Sequence, residues 1–162
     1  MPPAHGEQKI SSFNFGITEK KGPIQIVSEQ LEIHRTEGKA IYKGNVMGKQ
    51  GDSTILCERL TIFFDKEMNA VQRIIAEGRV RIQTEGRVAT AGKADIDSMH
   101  RSVVLTENPT IEEGQNNIRG SKITIYLDTE RSIVEGEPGH KIQTTIFPTK
   151  DVKAQNTGTT RK

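Results

Sequence analysis

The sequence predicts an all-β protein of short antiparallel strands, and three observations predict it. The first is alternation. From Ile74 to Ile82, Ile74, Ala76, Gly78, Val80 and Ile82 fall on one side of an extended chain, and Ile75, Glu77, Arg79 and Arg81 on the other. At helical spacing the same residues would scatter apolar and charged groups all round a cylinder. The second is composition. The 162 residues are only 33% hydrophobic, with five Phe, two Tyr, no Trp and 15 Gly, and a mean hydropathy of -0.57. A compact globule holds more apolar mass; a thin β structure with many turns needs less. The third is an internal repeat with a period near 30 residues, the signature of stacked supersecondary units.

In chain order, Pro23 introduces a first strand, Ile24–Ile26, as proline does at the start of a strand or on an edge. Leu31–His34 follows, then a turn at Thr36–Lys39 and the strand Ala40–Val46. Gln50–Ser53 turns the chain into Leu56–Phe64, which sets Leu56, Leu60, Ile62 and Phe64 on one face. Asp65–Asn69 leads into Ile74–Ile82, and Thr84–Arg87 into Val88–Ala94 and then Ala94–Asp97. After a turn at Ser98–Arg101 come Val103–Leu105, Pro109–Ile111, a turn over Glu112–Asn117, and Ile118–Gly120. Ile123–Leu127 alternates clearly, and Asp128–Arg131 closes a hairpin into Ser132–Gly136. The last strand is Lys141–Phe147, ending at Pro148. The helix candidate with most support, Gly92–Arg101, does not sort its charges by face.

The domain division expected is a flexible N-terminal arm over 1–22, one β domain over 23–148 and a disordered basic tail over 149–162. The net charge of +2 is uneven. Residues 141–162 set Lys141, Lys150, Lys153, Arg161 and Lys162 against Asp151, a net +4, so the rest of the chain carries −2. The basic excess therefore belongs to the tail and does not mark a nucleic-acid-binding face.

The repeat reads small-x-x-apolar-x-Ile. It occurs at Ser28–Ile33, Cys57–Ile62, Ala91–Ile96 and Gly120–Ile125, with final residues 29, 34 and 29 apart. Between the copies lie matching partners: Lys43–Val46, Glu77–Val80, Glu107–Thr110 and Glu135–Pro138. One strand pair cannot bury its apolar face alone, so stacked pairs form a two-sheet sandwich or roll with a continuous apolar seam and unpaired strands at both ends. The alternative is an ordinary antiparallel sandwich whose strands look alike because all strands alternate.

Catalytic and metal chemistry find little support. His5, His34, His100 and His140 lie at no metal-ligand spacing from one another or from Cys57. There is no Gly-x-Ser-x-Gly elbow, and the Gly-rich stretches precede no helix that could hold a phosphate. Cys57 fills the small-residue slot of the repeat, where packing explains it. No run of about 18 apolar residues exists to form a spanning helix. The N-terminus, Met-Pro-Pro-Ala-His-Gly, lacks a signal peptide's apolar segment. The chain is expected to be non-enzymatic and to use no cofactor and no metal.

Several motifs, in order, resemble one family. Pro23-Ile24-Gln25-Ile26, Tyr42-Lys43-Gly44-Asn45-Val46 and Glu58-Arg59-Leu60-Thr61-Ile62 look like the opening of the OstA-like (LptA) domain of periplasmic lipopolysaccharide-transport proteins. Val103-Val104-Leu105-Thr106 with Asn108 is similar to a later segment of that family. Asn117–Thr124 is similar to another, and Gln143–Pro148 to the last strand of its soluble bridge protein. Glu107 departs from the pattern, since the family usually has Gly before Asn108.

The resemblance implies an antiparallel β-jellyroll of two sheets in an open, V-shaped roll of about sixteen short strands. It implies a periplasmic protein whose signal peptide has been removed. It also implies binding of lipopolysaccharide through its lipid A acyl chains, and carriage from the inner to the outer membrane in a head-to-tail bridge between an LptC-type inner-membrane component and the outer-membrane LptD. Alternatives are an LptC-type or LptD N-terminal OstA-like domain, or a strand-pairing scaffold with no ligand. On this resemblance the lipid-binding candidates are Ile24, Ile26, Leu31, Ile33, Tyr42, Val46, Ile62, Phe64, Val80, Ile82, Ile96, Leu105 and Ile125. The assembly-edge candidates are Ile24, Gln25, Ile26, Val27, Ile142, Thr144, Ile146 and Phe147.

Overall fold

The computed structural model describes residues 22–129 and 131–148. The expectations for the arm over 1–22 and the tail over 149–162 fall outside these residues, Gly22 apart. All regular structure among the described residues is β, in twelve strands. They are β1 (Gln25–Val27), β2 (Gln30–His34), β3 (Lys39–Gln50), β4 (Ser53–Phe64), β5 (Val71–Thr84), β6 (Arg87–Asp97), β7 (Ser102–Thr106), β8 (Thr110–Glu113), β9 (Asn116–Arg119), β10 (Lys122–Tyr126), β11 (Arg131–Glu135) and β12 (Gln143–Thr145). Every pairing is antiparallel.

The expected number of strands, about sixteen, becomes twelve because β3 to β6 are long and each serves two sheets. Register shifts fall between Lys43 and Val46, Leu56 and Arg59, and Glu77 and Val80. They divide each long strand at a bulge, as bulges do where a sheet must bend. Sheet I runs β2, β3, β4, β5, β6, β7, β10, β11 through Lys39–Lys43, Arg59–Phe63, Arg73–Glu77 and Lys93–Asp97. Sheet II runs β1, β3, β4, β5, β6, β8, β9, β12 through the other halves. Counted by halves, each sheet has eight strands. The result is an antiparallel jellyroll that does not close, with β1 and β2 as edges at one end and β11 and β12 at the other.

The boundaries shift for the same reason. The segments Val88–Ala94 and Ala94–Asp97 form one strand, β6, bent at Gly92. The turn over Glu112–Asn117 narrows, because Glu112 pairs with Asn117 and Glu113 with Asn116. The last strand shortens from Lys141–Phe147 to Gln143–Thr145.

The repeat acquires a direct meaning. Leu31, Leu60, Ala94 and Ile123 lie in one row across sheet I, joined by Tyr42, Ala76, Leu105 and Val134. Ile33, Ile62, Ile96 and Ile125 lie in the next, joined by Ala40, Ile74, Val103 and Ser132. The small residues Cys57, Ala91 and Gly120 are buried at the bend. The spacing shared by the repeats is thus the spacing between the bend and two inward rows.

The bend is built from glycine set against glutamate. Gly44 and Asn45 (φ 87° and 45°) and Gly78 and Arg79 (φ 86° and 47°) take the left-handed conformation. A Cβ on Gly78 would lie 2.8 Å from the Cβ of Glu58, and one on Gly44 would collide with Glu29. At the third bend the roles reverse. Glu107 and Asn108 are left-handed (φ 66° and 61°), and Gly92 across from them makes room for the Glu107 side chain. The substitution of Glu for the usual glycine therefore leaves the bend in place and moves the glycine to the partner strand.

Candidate functional site

The inner faces of the two sheets enclose the site. Sheet I contributes the two apolar rows above. Sheet II contributes Ile26, Gly48, Ile55, Ile82, Ala89, Ile111, Ile118 and Thr144 in one continuous row. In the middle the faces meet, and Ala76, Val80, Ile82, Ala94, Ile96 and Leu105 are at most 2% exposed. Toward each end the sheets stand apart.

At the N-terminal end a narrow apolar cleft is lined by Ile24, Ile26, Gly48 and Ile55 on sheet II and Leu60, Ile62 and Ile74 on sheet I. Beside it Leu31 and Ile33, 47% and 55% exposed, extend the inner rows onto the edge strand β2. Exposed apolar residues grouped on an edge mark a contact surface rather than scattered surface hydrophobics. At the C-terminal end a wider cleft is lined by Arg87, Ile111, Glu113 and Ile118 on sheet II and Ile123, Ile125, Ser132 and Val134 on sheet I.

The thirteen lipid-binding candidates divide accordingly. Ile24, Ile26 and Ile62 line the first cleft and Ile125 the second, while Leu31 and Ile33 lie on the adjoining edge. Tyr42 and Phe64 are partly buried against the core. Val46, Val80, Ile82, Ile96 and Leu105 line neither cleft and are at most 2% exposed. Sequence reasoning missed Ile111, Ile118 and Val134 in the second cleft, and above all Arg87 and Glu113. Carrying alternation backward from Ala91 through Ala89 would have placed Arg87 inward.

Sheet II ends on a polar rim. Gln50 pairs with Ser53, Thr84 with Arg87, Arg87 with Glu113, and Glu113 with Asn116. All six share the inward parity of the apolar row next to them. Arg87 Nε lies 3.4 Å from Glu113 Oε1. At the corresponding end of sheet I, Phe64, Val71 and Leu127 pack against the core, and the one buried orphan there is Ser98 Oγ, two residues beyond Ile96, with no partner among the described residues.

The outer faces are charged and cross-linked. Arg73 donates to both carboxylate oxygens of Asp95, at 2.8 and 2.5 Å, and Lys43 donates to Glu32 at 2.7 Å. The Lys43 hydrogen bond, with a second from His34, holds the Glu32 carboxyl below its usual range. Burial pushes the Cys57 thiol up to about 11, which leaves it protonated and unreactive at neutral pH. Among the described residues no group of three or more His, Cys, Asp or Glu side chains could hold a metal, and no helix is long and apolar enough to cross a membrane.

All eight assembly-edge candidates lie at the two open ends. Gln25, Ile26 and Val27 form β1, with Ile24 just before it; Thr144 is in β12, with Ile142, Ile146 and Phe147 around it. Val27, Ile146 and Phe147 are each more than half exposed. The other two edges, β2 and β11, were absent from the expectation.

The profile of the family described as "LptA/(LptD N-terminal domain) LPS transport protein" matches residues 25–131. The chain belongs to this family. An uncharacterized protein of Rhizobium meliloti (strain 1021) is 28% identical over 134 residues, covering 78% of this chain and 72% of its own. The lipopolysaccharide export system protein LptA of Escherichia coli (strain K12) is 23% identical over 144 residues, covering 85% and 78%. Among solved structures, LptH of Pseudomonas aeruginosa, described as the LptA-homologous periplasmic component of the lipopolysaccharide transport device, superposes with a TM-score of 0.70 at 19% identity over 81% of this chain and 99% of that one. At that identity the likeness concerns the fold. The family is one of transport proteins.

Proposed function

We propose that this LptA-family chain shelters the acyl chains of lipopolysaccharide between its two sheets while the glycan stays in water, and that it works in the periplasm as one unit of a bridge toward the outer membrane. The observation that carries this is the pair of apolar clefts opening at opposite ends of one continuous set of inward rows. Each methylene kept from water is worth about 0.8 kcal/mol, so a lipid crossing an aqueous space needs such a surface along its route. The chain acts by binding and has no catalytic role in this reading.

Head-to-tail assembly follows from the edges. Each sheet has eight strands in strict antiparallel alternation, so a translated copy brings β11 antiparallel to β2 and β12 antiparallel to β1. The meeting edges match in length, five residues each for β11 and β2 and three each for β12 and β1. Joining them would set Val134 and Ser132 beside Leu31 and Ile33 and continue the apolar rows from one protomer to the next. The same edges suit an LptC-type domain at one end and the LptD N-terminal domain at the other.

The test places a photo-crosslinking residue at Ile26 or Ile33 and adds lipopolysaccharide. Adducts are expected at both sites and not at Arg79, whose side chain is 90% exposed on the outer face of the bend. Equal labelling at Arg79 sinks the groove reading and favours a strand-pairing scaffold. Because the family description also names the LptD N-terminal domain, sedimentation over a concentration range is the second measurement. Growth of the species with concentration supports a free-standing bridge; a strict monomer supports a capping domain.

A further inference from the structure

The polar rim of sheet II has no place in a structure that only shelters hydrocarbon. Gln50, Ser53, Thr84, Arg87, Glu113 and Asn116 occupy inward positions where every preceding row is apolar or small. Gln50, Thr84 and Arg87 are 8%, 7% and 6% exposed. Gln50 Nε2 donates to the Gly22 carbonyl at 2.7 Å, but Gln50 Oε1 and Thr84 Oγ1 are buried and have no hydrogen-bond partner among the described residues. Buried polar atoms are nearly always satisfied, so two orphans in one row call for a partner that the described residues do not supply. A buried guanidinium needs a companion anion, and the one paired with Arg87 is a half-exposed carboxylate at the mouth of the C-terminal cleft.

Resting on the transport reading above, we propose that this rim is the headgroup line of the groove. It takes the phosphate and hydroxyl groups of an amphiphile whose chains lie on the adjoining apolar rows. Gln50 and Thr84 hydrogen-bond hydroxyl or amide groups along the line. Arg87 receives a phosphate in place of the Glu113 carboxylate, since guanidinium matches phosphate geometry as well as it matches carboxylate. Because sheet I ends mainly on Phe64, Val71 and Leu127, with Ser98 its one buried orphan among the described residues, and sheet II on a full row of polar side chains, the amphiphile is held in one orientation, headgroup toward sheet II.

The test uses the full chain and three probes: bisphosphorylated lipid A and its dephosphorylated form in matched detergent, and inorganic phosphate. The wild type should prefer the phosphorylated lipid by about tenfold, the scale of a charge-assisted contact. Arg87→Gln should abolish that preference. Glu113→Gln should have the opposite sign and strengthen binding of the phosphorylated lipid several-fold, because the competing carboxylate is gone; this variant carries the test if Arg87→Gln does not fold. Thr84→Val should weaken both lipids without altering the preference. Wild type that binds both lipids equally, or Arg87→Gln and Glu113→Gln that move both lipids alike, overturns the headgroup line and leaves the transport reading standing. Inorganic phosphate that binds, tightens with Glu113→Gln and is not displaced by lipid identifies a free-anion site and also overturns it. Wild type that binds neither lipid defeats the transport reading itself.

Discussion

The middle of this molecule and its ends are made from the same repeat but do different things. In the middle rungs Leu60, Ala76, Ala94 and Leu105 meet residues of the facing sheet and are at most 2% exposed. At the N-terminal rung the equivalent positions are Leu31 and Ile33, about half exposed on an edge strand. The difference lies not in side-chain type, since both sets are aliphatic, but in the number of neighbours the topology supplies. A repeat unit cannot bury its own inner face, so the terminal copies are left with apolar surface that the other described residues do not cover. On the proposed function, stability resides in the middle and recognition at the ends, with one motif specifying both.

Truncation tests this division most strongly. Leu105→Ala removes a fully buried side chain from the central row and is expected to cost about 2–5 kcal/mol in chemical denaturation. Ile33→Ala removes similar apolar mass from the edge and should fall within about 0.5 kcal/mol of wild type, while reducing lipopolysaccharide crosslinking or self-association. Comparable stability losses for the two would mean that β2 is as firmly held as the centre.

The bends allow a finer comparison. At Gly78 a side chain must adopt φ 86° and also displace Glu58, so Gly78→Ala should cost about 1–3 kcal/mol. At the third bend the left-handed position is already occupied by Glu107, with Gly92 opposite making the space. Glu107→Gly relieves a conformation that disfavours a side chain by about 1–2 kcal/mol, at the expense of Glu107's packing over Gly92 and of a more flexible unfolded chain. The net change should stay within about 1 kcal/mol by thermal denaturation. A loss as large as that from Gly78→Ala would show that the glutamate-over-glycine contact, rather than backbone freedom, holds the bend.

Much of this was legible in the sequence. Alternation over Ile74–Ile82 and the small-x-x-apolar-x-Ile repeat are short-range patterns, and they specify the inward rows because side chains in a strand have only two faces. The merging of half-strands into β3 to β6 was not legible. Gly44-Asn45 and Gly78-Arg79 read as turn-like punctuation, and only the pairing of both flanks with the same neighbour shows that the strand continues through a bulge. The polar rim was hidden for a different reason. Arg87 belongs by composition to a turn, Thr84–Arg87, where charge is ordinary; its inward direction depends on the strand beginning at Arg87 itself. The clefts depend on how far the sheets diverge, a property of the twist and bend of all eight strands.

The smallest expected effect concerns the edge that the comparison singles out. Glu32 on β2 accepts a hydrogen bond from Lys43 on β3 and is in contact with His34, and these partners lower its pKa from the usual 4.5. A carboxyl with a depressed folded-state pKa stabilises the fold above its unfolded value, and that contribution disappears as the pH falls through the folded value. Asp97 behaves in the same way: its partial burial opposes ionisation, but hydrogen bonds from His100 and Met99 outweigh it and bring it below 3.8. Both sites therefore predict loss of stability on acidification below about pH 4.5, and none of that loss between pH 6 and 8. The two differ in location, Glu32 fastening the free edge strand and Asp97 the turn that closes the central strand β6. Glu32→Gln should leave the global transition nearly unchanged while removing the acid dependence of amide exchange in β2. The corresponding change at Asp97 should appear in the global acid midpoint. If Glu32→Gln instead shifts the global midpoint as much as Asp97→Asn does, the edge strand folds and unfolds with the core, and the separation of a stable middle from adaptable ends fails.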